Sequence, residues 1–389
     1  MAVMISLVAL SIDAILPALP AIGSDLNVVR PNASQLTVSL LFLGMACGQL
    51  FYGPVSDSVG RKPAIYAGLA IFIAGCLISL FSTSFPVMLG GRFLQGIGVA
   101  GPRIVAVALV RDQYQGRAMA RVMSFIMAVF IIVPAVAPAI GQALLWVANW
   151  RAIFVAFLVL ALVALVWFAL RQPETLPLER RARFSLPRIL RGVREVCLHR
   201  IALGYTITSG LIFGAFIGYL SSAQAVFQGS YGLGNQFPIF FAVLALSVGG
   251  ATYVNAHLVM RFGMQLLSGW AVRGISVISI GFLVITFWQG GLPPFWAFMS
   301  YFIVAFFGIG ILFGNLNSLA MEPLGHIAGI GAAVIASLSL GISMPLGMLI
   351  GLAYDGTVLP LVGGFAALSV AAWMVMRWTE AGAGEQRGG

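Results

Sequence analysis

Apolar residues fall in long runs separated by short polar knots, and this rhythm continues from end to end of the 389-residue chain. A helix needs roughly 20 apolar residues to cross the bilayer core. Runs of that size lie near 2–22, 35–56, 63–83, 86–110, 120–146, 151–171, 201–225, 236–259, 265–288, 293–319, 327–353 and 357–378. The alternation required by a β-barrel is absent, and open sheet edges do not survive in lipid. The pattern predicts an all-α polytopic membrane protein with twelve transmembrane helices. Residues 172–200 are the only long polar stretch, with six runs before and six after. The expected organisation is therefore an N-terminal six-helix bundle (1–171), a cytoplasmic linker (172–200), and a C-terminal six-helix bundle with a short cytoplasmic tail (201–389). Within the linker, Leu186, Ile189, Leu190, Val193 and Val196 recur at helical spacing among arginines. That spacing predicts an amphipathic helix over 186–198, suited to an anionic leaflet, with a solvated linker as the alternative.

Composition sharpens this picture. Charged residues make up 8% of the chain, against about 25% in soluble proteins. The net charge of +10 would suit a polyanionic partner, but its placement argues against nucleic acid. With both termini cytoplasmic, 16 of the 21 basic residues lie in or beside cytoplasmic segments. Arg30 and Arg151 fall outside, and Arg92, Arg103 and Arg273 lie within spans. This is the positive-inside bias, so the basic excess reports orientation. Cys47, Cys76 and Cys197 fall in two spans and a cytoplasmic loop, which gives no disulfide framework. The first span lacks a basic lead and contains Asp13, unlike a cleavable signal peptide, and its start at Met1 leaves room for a short cytoplasmic lead upstream. Three histidines, none deep in a span or spaced for metal, and no phosphate loop or nucleophile elbow argue against an enzyme and against ATP-driven work.

The halves echo each other. Gly96-Ile97-Gly98 recurs as Gly308-Ile309-Gly310, 212 residues later, and the turn at Gly60 recurs at Gly263, 203 later. Parallel six-helix repeats, with the substrate site between the halves near the midplane, are one transporter design. The first turn belongs to a charged knot, Gly-Pro-Val-Ser-Asp-Ser-Val-Gly-Arg-Lys-Pro at 53–63, whose plainest role is orientation. Asp57 stands where a helix ends, and a helix C-terminus repels a carboxylate. It needs Arg61 one turn on, or the N-terminus of another helix. The second half keeps Gly263 but has Met260 in place of Asp57 and no basic pair.

Asp13 is the only acid well inside a predicted span. An intramembrane ionisable group faces the bundle interior or a cavity. A partly desolvated carboxylate there can bind and release a proton near neutral pH; a structural carboxylate paired with arginine is the alternative. Arg92, deep in span four, suits a carboxylate or buried carbonyl, and we expect it to tune Asp13 directly or through water. Gln49, Gln95, Arg103, Gln142, Tyr219, Gln224, Asn315 and Asn317 are expected to line a cavity, because polar groups facing lipid are costly. Arg103 and Arg273 also fit snorkelling toward the inner headgroups. Aromatic residues including Phe213, Phe216, Tyr301, Phe306 and Phe307 could stack a planar substrate, although helix packing accounts for most of them.

These motifs resemble the major facilitator superfamily. The knot resembles its signature between spans two and three, Gly-x-x-x-Asp-x-x-Gly-Arg-Lys, carried here by Gly53, Asp57, Gly60, Arg61 and Lys62. Arg92-Phe93-Leu94-Gln95-Gly96 resembles the Arg-x-x-Gln-Gly motif of proton-coupled exporters, and Pro134, Pro138 and Gly141 resemble the antiporter motif. Ala137 and Gln142 stand where that motif usually has glycines. The segment Asp13–Pro20, Arg111-Asp112, Trp150-Arg151, Glu322-Pro323 and His326–Gly329 are similar to the Bcr/CflA branch. The resemblance implies a proton-coupled efflux antiporter for small amphipathic drugs, working by alternating access. It needs no cofactor beyond the proton gradient, and is expected as a monomer in the bacterial inner membrane. It places the proton-sensitive acid at Asp13 and a cytoplasmic gate at the knot, with Asp57 facing the start of span eleven near Ile327–Gly331. A metabolite transporter is the nearest alternative, and a non-transporting scaffold or receptor the other.

Overall fold

The computed structural model describes residues 2–30, 32–114 and 116–387, and these contain helices and connecting turns but no strand. The first span is broken: α1 (Ala2–Asp13) ends at the acid, a single 3-10 turn covers Leu16–Ala18, and α2 (Leu19–Asp25) resumes the helix. Pro17 and Pro20 cause the break, since each lacks the amide that would bond the carbonyl four residues earlier. There follow α3 (Leu36–Val59), α4 (Arg61–Leu80), α5 (Phe85–Gln113), α6 (Gly116–Val147) and α7 (Arg151–Arg171). The amphipathic α8 (Leu186–Leu198) covers the residues that its spacing predicts. Then come α9 (Arg200–Gln224), α10 (Phe237–Phe262), α11 (Met264–Trp288), α12 (Phe295–Met321), α13 (Ala328–Leu352) and α14 (Leu359–Arg387). Among the described residues, ten segments are long and apolar enough to cross a membrane; one of them, Phe295–Leu352, holds both α12 and α13, and Ile132–Val147 in α6 is a further apolar stretch. Those are the twelve expected spans.

The chain forms two compact units, Met1–Leu190 and Arg191–Gly389, whose boundary falls inside α8. Each unit is built on the same helix pairings. In the first, α3 and α4 pack on α5, α6 and α7 pack on α1, and α4 packs on α7. In the second, α10 and α11 pack on α12, α13 and α14 pack on α9, and α11 packs on α14. The contacts also set the register of the repeat. A Cβ on Gly98 would lie 2.3 Å from the Phe72 amide of α4, and one on Gly308 would lie 2.7 Å from Ile275 of α11. Gly48 approaches Ala100 as Ala251 approaches Gly310, so one half has the glycine on its second span and the other on its fourth. Gly98 is therefore the counterpart of Gly308, an offset of 210 (308 − 98). The offset of 212 expected from the paired Gly-Ile-Gly is corrected by two residues. Small residues are what allow these backbones to close on one another in lipid.

The corrected register pairs Arg92 with Phe302 (92 + 210). Phe302 sits at the centre of an aromatic core in the second unit, with Tyr219, Phe298, Phe306 and Phe365 around it at ring separations of 4.6 to 5.8 Å. The first unit places a buried arginine at that level. One half is organised by polar bonds and the other by rings packed edge-on and tilted.

Gly60 and Gly263 end α3 and α10 with φ of +110° and +78° and ψ of 160°, a region open to glycine alone. A Cβ at Gly60 would also meet Glu174 Oε2 at 2.6 Å, whereas one at Gly263 has open space. Gly263→Ala should therefore lose about 1–3 kcal/mol of stability to backbone strain, and Gly60→Ala more. The check is apparent melting temperature of the purified variants: equal shifts would contradict the role assigned to Glu174 below.

Candidate functional site

Asp13 is 4% exposed and sits at the end of α1, followed by the buried apolar residues Ala14, Ile15 and Leu16. Among the described residues, no hydrogen-bond donor and no cation reaches its carboxylate. Pro17 also removes the amide that its own carbonyl would have bonded in a continuous helix. An ionised carboxylate buried without a partner is expensive. The antiporter-like segment of α6 presses on this break. A Cβ at Gly141 would lie 1.9 Å from the Ala14 carbonyl oxygen, so only glycine allows the approach. Pro138 is buried beside it on α6, and Pro134 half-buried.

Arg92 is fully buried on α5, yet its guanidinium does not touch Asp13. Its Nε donates to the Thr37 carbonyl at 3.0 Å, Nη1 to Gln95 Oε1 at 2.6 Å and Nη2 to the Ser11 carbonyl at 2.7 Å. Direct pairing with Asp13 is thus replaced by a grip on the α1 backbone two residues away. Gln95 passes the network on, its Nε2 donating to the Gly75 carbonyl at 3.1 Å and to Ser79 Oγ at 3.0 Å. Four elements, α1, α3, α4 and α5, are joined through one guanidinium and one amide. The far end of the first span is tied as well: Arg151 Nη1 and Trp150 Nε1 both donate to Asp25 Oδ2, at 2.6 and 3.1 Å, and Arg151 Nη2 donates to the Ser82 carbonyl.

The charged knot is closed upon itself. Arg61 Nη1 donates to Asp57 Oδ1 at 2.5 Å and to Ser56 Oγ at 2.9 Å, and its Nε donates to Asp112 Oδ2 at 2.9 Å. The acid of α3 thereby pairs with the arginine one turn on, as the first of the two expected partners. Lys62 Nζ donates to the Ala169 carbonyl at 3.0 Å, where its charge suits the C-terminus of α7. The Gly53 carbonyl accepts from Ser56 Oγ. Glu174 completes the knot, and sequence reasoning missed it. Its carboxylate accepts the Arg61 and Lys62 amides, both at 3.0 Å, and the Thr175 and Leu176 amides at 2.9 and 3.0 Å. An anion across the first amides of α4 satisfies orphan donors and meets the positive end of the helix. The Ala182 amide then bonds the Asp57 carbonyl, so the chain from 174 to 182 straps the knot. The available signal was an acid directly after Pro173 at the end of span six, opposite a helix start with no cap of its own.

Partial burial pushes the Glu174 carboxyl up, and the amides of Leu176, Lys62, Arg61 and Thr175 pull it down further, so its pKa lies below the ordinary 4.5. A depressed carboxylate stabilises the fold above its ordinary pKa, and that contribution disappears as the pH falls through its folded value. Glu174→Ala should lower stability by about 1–2 kcal/mol and speed exchange of the Arg61 and Lys62 amides, with the difference from wild type narrowing below pH 4.5. Unchanged exchange at these amides would refute the capping role.

Four of the eight expected cavity residues are wired into their own bundle. Gln95 is buried with its amide engaged, and Tyr219 is buried in the aromatic core. Asn315 is buried and exchanges two hydrogen bonds, at 3.0 and 2.9 Å, with Asn255, a residue that sequence reasoning passed over. Gln224 donates to Gln228 Oε1 at the end of α9. Gln49 and Gln142 are buried, Arg103 is half-buried on the Arg92 face of α5, and Asn317 is exposed. Tyr301 stacks on Phe282 and bonds Ser279, and Phe306 is buried, whereas Phe213 and Phe216 remain half-buried.

Comparisons with known proteins agree with this construction. The chain is 29% identical to a bicyclomycin resistance protein homolog of Haemophilus influenzae over 376 residues, 93% of this chain and 91% of that one. It is 28% identical to a chloramphenicol resistance protein of Pseudomonas aeruginosa over 338 residues, 84% and 77% of the two chains. The solved D-xylose-proton symporter superposes with a TM-score of 0.74 at 14% identity, covering 96% of this chain and 95% of that one, which speaks to fold alone. The profile of the Major Facilitator Superfamily matches residues 1–348. The chain belongs to the Major Facilitator Superfamily, and is a multi-pass membrane transporter rather than an enzyme.

Proposed function

We propose that the chain is a proton-coupled exporter of small amphipathic drugs, monomeric in the bacterial inner membrane with both termini cytoplasmic. The observation that carries this reading is the Asp13 carboxyl, buried with no partner among the described residues at a proline break in the first span. Such a group can hold a proton on one side of the transport cycle and release it when substrate or water reaches the break from the other. The named relatives are a bicyclomycin resistance protein homolog and a chloramphenicol resistance protein, which supports drugs as the cargo. Asp13 carries the proton, Arg92 fixes the geometry around it, and Asp57, Arg61, Lys62 and Glu174 form the cytoplasmic gate. No bound cofactor is required, because the proton gradient supplies the energy.

The test is acidification of a weakly buffered solution of purified protein on adding drugs from a panel that includes chloramphenicol and bicyclomycin. Proton release by the native chain, absent from Asp13→Asn, is the expected result. Release provoked by sugars or amino acids, with none from any drug, would reject drug export in favour of metabolite transport.

A further inference from the structure

We propose that α8 is a docking helix for acidic phospholipid headgroups, and that it uses a strip of its apolar surface that the protein leaves uncovered. The apolar arc of this helix is wider than its packing requires. Ile189, Gly192 and Val196 lie on one face and are buried. At Gly192 the fit is close enough that a Cβ would come within 2.4 Å of Ile330 Cγ2 at the start of α13. Leu186, Leu190 and Cys197, spaced four and seven residues apart, form a neighbouring strip about 100° round the helix. All three are exposed, Leu190 by 59%.

Arg194 borders this strip, and Arg191 stands one step further round, both exposed. The helix carries three arginines and one acid. That acid, Glu195, pairs with His326 Nε2 at 2.5 Å, on the hairpin between α12 and α13. The ion pair and the Gly192 contact fix the roll of the helix, so the strip and its arginines are presented together. An uncovered apolar strip beside a row of guanidinium groups matches acyl chain below and phosphate above. The chain spans a membrane, and the arginine bias puts this helix on the cytoplasmic side, where acidic lipids lie. Zwitterionic lipid would satisfy the strip but not the arginines.

The strip carries its own reporter. In a chain with Cys47→Ser and Cys76→Ala, a bimane on Cys197 can be quenched by phospholipids brominated high in the acyl chain. We expect brominated phosphatidylglycerol to quench more strongly than brominated phosphatidylcholine at equal mole fraction, a preference of about fivefold per arginine. Arg191→Gln with Arg194→Gln should bring the two lipids to parity, and 0.5 M salt should do most of the same in the unsubstituted arginine background. Equal quenching by the two lipids overturns the proposal, and no quenching by either shows a solvated helix and overturns it too. The readout does not involve drug or proton movement, so failure here leaves the transport reading untouched, and failure of that reading leaves this one standing.

Discussion

Asp13→Asn should leave a folded protein in the membrane that no longer couples export to the proton gradient. Asparagine keeps the shape of the side chain and removes its ability to ionise. The carboxylate has no donor or cation among the described residues, so no ion pair is broken by the change. Stability should therefore hold or rise, since a buried unpaired charge is a liability to the fold. Transport should suffer heavily. One proton moving down a potential of 100 mV carries about 2.3 kcal/mol, which corresponds to roughly a 50-fold concentration ratio. A transporter that has lost its proton site forfeits that ratio and can only equilibrate its cargo. In proteoliposomes with an imposed gradient, the variant should show drug exchange without net accumulation, and host cells should return to the susceptibility of cells lacking the transporter. Gradient-driven accumulation that survives the substitution would remove Asp13 from the coupling role. A fall in melting temperature with lost drug exchange would instead make it a structural residue.

Much of the scaffold could be read from residue types alone. Span positions follow from run length, and α8 follows from the period of Leu186, Ile189, Val193 and Val196 against arginine, because both depend on local chemistry. The Arg61–Asp57 pair was also legible, as a contact within one turn of chain. What stayed hidden depends on distance. Glu174 meets the Arg61 amide across 113 residues, and an acid directly after Pro173 does not say which helix start it caps. The repeat register slipped by two because two glycines in a Gly-Ile-Gly face different neighbours, α3 and α4 in one half, and only packing reveals which glycine matches which. Polarity within a span does not by itself single out a cavity residue. An amide in a span must avoid lipid, but a buried carbonyl or a second amide satisfies it as well as a cavity does, as Gln95 and Asn315 illustrate.

Arg92→Ala should damage the protein more broadly than Asp13→Asn, and Arg92→Lys should separate charge from geometry. Removing the guanidinium leaves the Ser11 and Thr37 carbonyls and Gln95 Oε1 without their donor, and opens a cavity where α1, α3, α4 and α5 meet. Against this stands relief from burying a cation, so we expect a net loss on the order of 2–4 kcal/mol. Lysine keeps the charge but cannot reach three acceptors lying in different directions. If Arg92 acts on Asp13 by its field, Lys should retain drug-induced proton release with a similar pH midpoint. If it acts by holding Ser11, and through it the end of α1, Lys should fail nearly as badly as Ala. The bonding pattern favours the second outcome: the nearest grip on the acid's helix is a backbone carbonyl two residues before Asp13, and the same guanidinium fixes α3 through Thr37. We expect at least a tenfold loss of export in Arg92→Lys, a loss of about 1.4 kcal/mol in the stabilisation that matters for transport. Melting temperature should fall in both variants, and the midpoint of any residual proton release should scatter rather than shift in one direction. A lysine variant with native export and native stability would return Arg92 to a purely electrostatic role, and the Ser11 contact would then be packing without consequence for the proton.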